Sequence, residues 1–414
     1  MAKITPFMGL RPQKKYADQV ATLPYDVVSV AEARHFKKDP YNFYHVTRSE
    51  IDLPENVDVH STVVYEKAKE NLDQLVQDKI MVQDDEPCYY IYELIMDGRS
   101  QTGLICGSSC DDYFKGVIKK HEFTRPEKEL DRINHIKTTR AQTGIVFLAY
   151  NDQEDVQNAI EDWKQTHAAT YDFTAEDGIR HIFWVMDDYS KVATITRLFA
   201  EEVPATYIAD GHHRAASAGK VCQEMRANGM SITGDESFNY FITCIFPASQ
   251  LKIMDYNRVV KDLNGLSPEK FLTALKNKFD ITPVGATEPY KPAQPHEFGL
   301  YLDQNWYKLT AKQGTYTEDP IGVLDVSILQ NNILSELLGI HDPRTDKRVD
   351  FVGGIRGLQE LEKRVNEGDM AAAFACYPVS IQQLFDIADS GNVMPPKSTW
   401  FEPKLRDGLV VYLI

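Results

Sequence analysis

Residues 204–221 read PATYIADGHHRAASAGKV. The apolar first part is typical of a buried strand, and the alanine-rich second part is typical of a helix. The junction between the two parts consists of five polar or glycine residues, Asp210, Gly211, His212, His213 and Arg214. We expect Asp210 to be the N-cap of the helix and Gly211 to allow an unusual dihedral angle or a close backbone approach. This concentration of polar groups at a strand-to-helix junction indicates a site.

The start of this helix has the chemistry of an anion site. First-turn amides have no intrahelical acceptor, and they lie at the positive end of the helix dipole. His212, His213 and Arg214 add side-chain donors, and arginine binds phosphate through two parallel hydrogen bonds. The predicted ligand is therefore a phosphate; the alternative is a capped helix whose histidines only satisfy loop carbonyls. A zinc site is disfavoured, because adjacent histidines project in different directions and no companion Cys/His cluster is apparent.

The composition indicates a globular protein of mixed secondary structure. The 414 residues are 43% hydrophobic and 26% charged, which suits roughly two or three domains with a sizeable core. Strand-like and helix-like segments alternate along the chain, so we predict a mixed α/β, or α+β, fold. We place the domain boundary near residue 240, with the motif in residues 1–240 and a C-terminal α+β domain in residues 241–414.

The charge and the cysteines narrow the class of protein. The net charge of −16, from 61 acidic and 45 basic residues, opposes broad binding to nucleic acid or to an anionic membrane. The six cysteines form no CxxC pair, and we expect them to be reduced and buried, which fits a cytoplasmic protein. The sequence contains neither an apolar run of ~18 residues nor a signal-peptide core. We therefore expect no nucleic-acid or membrane partner, with a homo-oligomer left open.

A second candidate lies in residues 119–132, KKHEFTRPEKELDR. Thr124 and Glu127 have the spacing of a capping box for a helix that runs toward Lys137. Glu122 comes before this cap, at the end of a strand, where a carboxylate can face a crevice and act as a general base. The alternative is an ordinary surface glutamate. Glu129 and Asp131 are expected on a solvated helix surface.

Two weaker patterns complete the candidates. Residues 349–365, VDFVGGIRGLQELEKRV, miss the GxGxxG spacing, so a tight turn is favoured over a dinucleotide site. The sequence has no GxxxxGK[ST], which excludes a P-loop. Dispersed basic and hydroxyl residues form a set that would converge on anionic substrate groups, although each alone is more typical of a surface: Arg11, His45, Thr47, Arg48, Lys397, Ser398 and Thr399.

The segment YIADGHHRAASA resembles the phosphate-binding signature of the ParB/sulfiredoxin-like superfamily, in particular the branch of free L-serine kinases. A longer set of segments resembles a large bacterial and archaeal family of formerly unknown function: PFMGLRP, PYDVVS, NFYHVTRSE, IKKHEFTRPEKELDR, DGHHRAA and MPPKSTWFEPKL. The resemblance spans nearly the full chain. It implies a ParB/sulfiredoxin-like core with an N-terminal elaboration.

The resemblance also implies an activity, a phosphotransferase that moves phosphate from a nucleotide, ATP or ADP, to the hydroxyl of free L-serine to give O-phosphoserine. It implies catalytic roles for Glu122, Asp210 and His213. The phosphate-binding residues that it implies are Gly211, His212, His213 and Arg214. Such chemistry uses Mg²⁺ to offset phosphate charge, although the resemblance identifies no metal ligands.

Two other interpretations remain open. A non-catalytic, ParB-like nucleotide-binding regulatory protein is the main alternative, although the acidic balance and the missing basic helix oppose DNA binding. A sulfiredoxin-like reductase needs a cysteine beside the anion site, and Cys222 lies about three helical turns away. The long insertion between Glu122 and Asp210 and the large C-terminal part both depart from the compact kinases, and either can change the substrate.

Overall fold

The structure, a computed structural model, describes residues 1–230 and 232–414 and divides into two compact units. The first unit comprises Met1–Leu251 and Pro403–Ile414, and the second comprises Lys252–Glu402. The division differs from the predicted boundary at residue 240, because the strand Tyr240–Pro247 begins there and belongs to the first unit. The chain therefore leaves the first unit once and returns to it for its last residues.

The helices and strands alternate in both units, which confirms the predicted α+β class. In chain order, the helices are α1 (Ala17–Val20), α2 (Val30–Ala33), α3 (Tyr44–Thr47), α4 (Thr62–Gln77), α5 (Cys110–Lys115), α6 (Pro126–Thr139), α7 (Glu154–Thr166), α8 (Tyr189–Glu202), α9 (His212–Ala227), α10 (Pro268–Leu275), α11 (Asp325–Leu329), α12 (Gln359–Asn366) and α13 (Ile381–Asp389). The strands are β1 (Ile4–Thr5), β2 (Leu10–Pro12), β3 (Met81–Gln83), β4 (Tyr89–Met96), β5 (Arg99–Ser109), β6 (Ile118–Lys119), β7 (Ala141–Gln142), β8 (Val146–Tyr150), β9 (Tyr171–Thr174), β10 (Arg180–Met186), β11 (Thr206–Asp210), β12 (Tyr240–Pro247), β13 (Ile253–Met254), β14 (Tyr256–Val260), β15 (Phe279–Gly285), β16 (Glu297–Leu302), β17 (Asn305–Ala311), β18 (Val349–Gly353), β19 (Ala372–Cys376), β20 (Trp400–Phe401) and β21 (Tyr412–Leu413).

The first unit is built on a mixed sheet in the order β6-β11-β8-β12-β5-β4-β10-β9, with β1 paired to β5. Its strands are rich in aromatic and β-branched residues, which suits buried strands. β11, β8 and β12 are almost wholly buried, because helices such as α7, α8 and α9 contribute side chains to the same core. Two short pairs, β2 with β3 and β7 with β21, lie outside this sheet.

The pairing of β6 with β11 is the feature of the sheet that positions the site. The two strands are parallel, with Ile118 opposite Thr206 and Lys119 opposite Tyr207. Because parallel strands end at the same edge of a sheet, the residues after Lys119 and after Asp210 leave it side by side. This register brings two segments together that are about ninety residues apart in the sequence.

Two elements of the first unit follow from local patterns in the sequence. The apolar stripe at Val64, Ala68, Leu72 and Leu75 is buried on one face of α4. The turn at residues 97–98 joins β4 and β5 as an antiparallel hairpin, with Met96 opposite Arg99.

The prediction for the start of α6 is wrong. Arg125 is the N-cap, Pro126 takes the first helical position, and no side chain caps the helix. Thr124 instead donates its hydroxyl hydrogen bond to Glu129. Glu129 and Asp131 are buried rather than solvated, because Lys220 pairs with Glu129 and Tyr65 donates to Asp131. Proline at the first position fixes the backbone dihedral that a helix needs, and this explains why the helix forms without a capping box.

The second unit has an antiparallel sheet in the order β15-β17-β16-β19-β14-β18 and a small β13-β20 pair. Its glycine-rich segment is a strand, a short 3-10 turn at Gly354–Arg356 and then α12, so the predicted tight turn is confirmed. The periodic segment after Leu324 forms α11 and then a π-helical stretch, Gln330–Ser335.

The cysteine prediction also agrees with the structure, since all six cysteines are free and buried. Within residues 1–230 and 232–414, no helix is long and apolar enough to cross a membrane.

Candidate functional site

The DGHHR motif forms the predicted strand-to-helix junction, with β11 ending at Asp210 and α9 beginning at His212. The N-cap is Gly211, with φ of 94°, and the predicted N-cap role of Asp210 is wrong. Asp210 is still the last residue of the strand, and its Oδ1 accepts a hydrogen bond from the N–H of Gly211 at 3.0 Å. A Cβ atom at residue 211 would lie 3.2 Å from the guanidinium of Arg214 and 3.4 Å from the Cα of Val146. The left-handed dihedral and this crowding both require glycine here.

The first turn of α9 offers unused donors. The first backbone bond of the helix runs from the N–H of Ala215 to the carbonyl of Gly211 at 3.0 Å. The backbone N–H groups of His212, His213 and Arg214 therefore have no acceptor within the helix, as in helix N-termini that bind anions.

Arg214 lies in the interior and contacts the chain rather than open solvent. Its side chain is 7% exposed. Its Nη1 donates to the carbonyl of Ile145, and its Nη2 lies 3.3 Å from Asp26 Oδ2 and 3.5 Å from Asp210 Oδ2. Burial disfavours the charged guanidinium, but Asp26 and Asp210 raise its pKa. The guanidinium therefore ties the motif to the N-terminal region.

Tyr25 and Asp26 are held by two arginines from other parts of the sequence. The guanidinium of Arg132 lies 4.0 Å from the centroid of the Tyr25 ring. Arg48 donates from Nε to the carbonyl of Tyr25 at 3.0 Å and from Nη2 to the carbonyl of Val28 at 2.7 Å. The segments PYDVVS, HVTRSE and EKELDR therefore converge beside the DGHHR motif. Arg48 therefore supports the segment that contains Asp26, through the carbonyls of Tyr25 and Val28.

The last residues of the chain complete the surroundings of Asp210. Lys404 Nζ lies 3.2 Å from Asp210 Oδ2. Although burial opposes ionisation, Lys404 and Arg214 lower the pKa of Asp210 well below its usual range. Asp407 is buried, and burial raises its pKa to about 7, although the nearby Arg214 opposes that shift.

His212 packs against a second histidine that follows β6. The rings of His121 and His212 meet edge to face, with centroids 4.5 Å apart. His212 Nε2 accepts from the backbone N–H of His121 at 3.5 Å, and its Nδ1 lies 3.8 Å from Glu122 Oε2. Burial lowers the pKa of His121 to about 4 and lowers the pKa of His212 well below its usual value. Both rings are therefore neutral near neutral pH.

His213 is only half-buried, and it faces the loop before α6. Its Nε2 accepts a hydrogen bond from the backbone N–H of Arg125 at 3.0 Å. Burial and the charge of Arg125 lower the pKa of His213. A neutral histidine that accepts at Nε2 carries its proton on Nδ1, so His213 retains one donor.

The dispersed basic set does not form one cluster within the first unit. Arg11 pairs with Asp84 at 2.7 Å, and His45 pairs with Asp52 at 2.9 Å. Thr47 is buried and donates to the carbonyl of Phe43 at 3.4 Å. Each of these three side chains has a structural partner, and so does Arg48, which pairs with Glu50 at 3.2 Å and donates to the carbonyls of Tyr25 and Val28.

Lys397, Ser398 and Thr399 belong to the second unit. Ser398 is buried, and its hydroxyl donates to the carbonyl of Pro395 at 2.6 Å. The guanidinium of Arg258 donates to the carbonyl of Lys397 at 3.0 Å. Their contact with a substrate stays a prediction.

A cavity of about 530 Å³ lies elsewhere in the first unit. Aromatic and polar side chains line it, among them Tyr41, Asn42, Tyr44, Phe173 and Arg406. The five motif residues are not part of its lining.

Sequence reasoning missed four residues of the site. Asp26 and His121 stand inside segments that the family resemblance quoted, PYDVVS and KKHEF, so those segments carried a signal. Lys404 lies within the quoted MPPKSTWFEPKL, and Asp407 follows it closely, but the predicted substrate contacts in this segment were Lys397, Ser398 and Thr399.

Several solved structures are similar to parts of this chain. A conserved hypothetical protein from Pyrococcus furiosus is 13% identical, with a TM-score of 0.36 over 75% of this chain and 95% of its own. A free serine kinase in complex with AMP is 13% identical, with a TM-score of 0.33 over 74% of this chain and 92% of its own. A C-terminally truncated SbnI from Staphylococcus aureus is 11% identical, with a TM-score of 0.39 over 73% of this chain and 85% of its own. No curated protein matches the chain at a significant level.

The family match is the most extensive of these similarities. Residues 4–327 match the family described as protein of unknown function, DUF1015. The chain belongs to the DUF1015 family.

Proposed function

We propose that this member of the DUF1015 family is a phosphotransferase that binds a nucleotide at the start of α9. The proposed reaction moves a phosphate from ATP or ADP to the hydroxyl of free L-serine and gives O-phosphoserine. The observation that carries the proposal is the junction itself, where a left-handed Gly211 precedes three amides that have no intrahelical acceptor. Such a helix start binds phosphate through backbone N–H groups and the helix dipole.

The proposed phosphate contacts come from the solvent-facing side of the motif. The amides of His212 and His213 and the Nδ1–H of His213 are the donors that the geometry leaves available. Gly211 allows the phosphate a close approach because it carries no side chain. Arg214 holds Asp26 and Asp210, and its direct contact with a phosphate remains part of the proposal to be tested.

Glu122 is the proposed general base. Its carboxylate lies beside the first motif histidine, 3.8 Å from His212 Nδ1, and is 40% exposed, so an acceptor can reach it. In the proposed step, the serine hydroxyl oxygen bonds to the terminal phosphorus as Glu122 takes the hydroxyl proton. The bond from that phosphorus to the nucleotide breaks, and the nucleotide leaves as ADP or AMP. In this proposal Asp210, whose carboxylate forms ion pairs with Lys404 and Arg214, orients the junction.

Mg²⁺ fits the side chains of the site poorly. Both oxygens of Asp210 are engaged, Oδ1 by the N–H of Gly211 at 3.0 Å and Oδ2 by Lys404 at 3.2 Å. The nearest group with metal-ligand geometry has two imidazoles and one carboxylate, whereas Mg²⁺ prefers oxygen ligands. Mg²⁺ therefore enters the proposal only as the counter-ion that a nucleotide brings with its phosphates, and no step is assigned to it.

The second candidate is a nucleotide-binding regulatory protein without catalysis. The buried ion pairs of Arg214 favour this candidate. The guanidinium is paired with Asp26 and Asp210, so it organises the junction in addition to any hydrogen bond that it donates to a ligand. Both candidates predict nucleotide binding, and only the first predicts a phosphorylated product.

The decisive experiment incubates the purified chain with Mg²⁺, a panel of ATP, ADP and pyrophosphate, and a panel of free amino acids. Mass spectrometry then detects phosphorylated amino acids, with heat-inactivated protein as the control. O-phosphoserine that depends on protein and nucleotide supports the phosphotransferase. Nucleotide binding without any product supports the regulatory protein, and salt-sensitive binding to duplex DNA would favour a partition-type role.

A further inference from the structure

A compact group of three side chains lies where β6 and β11 end. His121, Glu122 and His212 each offer a ligand atom, and these atoms all lie within 4.8 Å of one another. The parallel pairing of β6 and β11 holds His121 and Glu122 beside the first residue of α9. Donor atoms that bind one ion at about 2.0–2.2 Å are separated by at most about 4.4 Å, so the three atoms are close to the spacing that a metal ion requires.

The burial of the two histidines is the second observation. His121 is 2% exposed, and its Nδ1 has no hydrogen-bond partner among the described residues. An unpartnered ring nitrogen inside a protein is unfavourable, because the group loses its contact with water and gains nothing in return. The contact that His212 Nε2 accepts from the His121 backbone, at 3.5 Å, is at the outer limit of hydrogen bonding. His121 Nδ1 therefore has no hydrogen-bond partner in the described part of the chain, and His212 Nε2 has only a weak one.

The donor set selects the class of ion. Neutral imidazole suits zinc, iron, cobalt, nickel and copper, whereas Mg²⁺ and Ca²⁺ take oxygen ligands. Two histidines with one glutamate is a donor set that binds divalent transition metals and leaves coordination positions open.

We propose that His121, Glu122 and His212 bind one divalent transition-metal ion, with open positions that face the start of α9. The ion would lie at the place where the helix N-terminus and His213 are proposed to meet a phosphate. A carboxylate that binds the ion through one oxygen keeps its second oxygen for a proton. This inference rests on the geometry of the three side chains and does not depend on phosphoryl transfer.

The test measures metal binding by the full-length protein in the absence of nucleotide. Chelator-treated protein is titrated with Co²⁺, Zn²⁺, Mn²⁺ and Mg²⁺, followed by calorimetry and by the visible d–d absorption of Co²⁺. We expect saturable binding of one transition-metal ion per chain, with no displacement by excess Mg²⁺. Absence of saturable binding for all three transition metals would overturn the proposal.

Variants locate the ion. Glu122 is half-exposed, and glutamine has nearly the same shape as glutamate. The Glu122→Gln protein should therefore fold normally and bind Co²⁺ at least about tenfold more weakly. His121→Asn and His212→Asn should each weaken binding further and alter the Co²⁺ spectrum. His341→Gln, at an exposed histidine of the second unit, is the matched control and should leave both readouts unchanged. If folded Glu122→Gln and His212→Asn proteins bind Co²⁺ with the parent affinity and spectrum, the ion is held elsewhere and the proposal fails.

Discussion

Arg214 and Asp26 are 188 residues apart in the sequence, and their side chains meet at 3.3 Å. The arginine is 7% exposed and the aspartate is 39% exposed, so the contact joins the interior of the motif to the surface. Tyr25, which lies next to Asp26, is held in turn by Arg132 and Arg48. The guanidinium therefore organises the junction whether or not it also contacts a ligand.

Arg214→Ala should lower the free energy of unfolding by about 3 kcal/mol, because Asp26 and Asp210 lose their shared cation. This value is at the low end for a broken buried pair, since both carboxylates face solvent in part. Arg214→Lys should lose less, because it keeps the charge and loses the planar fork. Urea unfolding of the two variants measures both losses.

Arg125→Ala is the matched control, because Arg125 is exposed and only its backbone contacts the motif. Equal stabilities of Arg214→Ala and Arg125→Ala would contradict the organising role. If folded Arg214→Lys also binds nucleotide with unchanged affinity, a direct bidentate phosphate contact is excluded.

Gly211→Ala should destabilise the protein more than Gly178→Ala does. Both glycines have a left-handed dihedral, with φ of 94° and 80°. An alanine costs about 1–2 kcal/mol in that conformation at either position. Only at residue 211 does the new Cβ meet neighbours, at 3.2 Å from Arg214, whereas residue 178 has open space. Crowding should add roughly 1–3 kcal/mol. Chemical denaturation gives the difference, and equal losses would mean that Arg214 moves aside freely.

Glu122→Gln should abolish most phosphoryl transfer while it leaves nucleotide affinity near the parent value. A general base contributes roughly 10²- to 10⁴-fold to turnover, and the proposed phosphate contacts lie in α9. Glu127→Gln is the control, because Glu127 is exposed and its nearest basic partner is Arg125 at 3.7 Å. Turnover of serine and nucleotide affinity are measured for both, together with the melting temperature. Parent-like turnover by Glu122→Gln would move the role of base to another carboxylate, with Asp210 the next to test.

Asp325 should make the second unit less stable as the pH rises. Its Oδ1 accepts from the N–H of His296 at 2.8 Å, its Oδ2 is buried without a hydrogen bond, and burial raises its pKa to about 7. The folded state therefore holds a proton that the unfolded state releases near pH 4. The contribution of Asp325 to stability is greatest below about pH 4 and falls as the pH rises to about 7, by at most roughly 4 kcal/mol.

Asp325→Asn should remove this dependence, because an amide keeps an oxygen acceptor and has no charge to bury. Melting temperatures between about pH 4 and about pH 8 measure the slope for the parent and the variant. Asp303→Asn, at an exposed aspartate of the same unit, should retain the slope of the parent. A parent-like slope in Asp325→Asn would assign the pH dependence to other groups.

Local patterns in the sequence predicted the parts of the fold that depend on neighbours in the chain. The strand-to-helix junction of the motif and the tight turn at Gly354–Arg356 both arise from short-range periodicity or turn chemistry. The same reasoning failed where two local solutions compete. Both Asp210 and Gly211 are good N-caps, and the sequence does not reveal that residue 211 takes a left-handed dihedral beside the guanidinium of Arg214.

The composition of the site was harder to predict because it depends on strand pairing. His121 joins His212 only through the parallel register of β6 and β11, and Lys404 reaches Asp210 across 194 residues. A single sequence contains no signal for such pairings, although the segments that supply them could be recognised by resemblance. Arg11 and His45 of the basic set have carboxylate partners of their own, and the contact of this set with a substrate stays a prediction.

The return of Pro403–Ile414 to the first unit has a consequence for synthesis on the ribosome. Residues 1–251 emerge first, yet Asp210 gains the contact with Lys404 and β7 gains its partner β21 only after residues 403–414 have been translated. The contacts around the motif are thus complete only after the whole second unit has been translated. A product that stops between Arg214 and Pro403 carries the complete DGHHR sequence but lacks Lys404 and β21, so the surroundings of the motif depend on residues translated after the second unit.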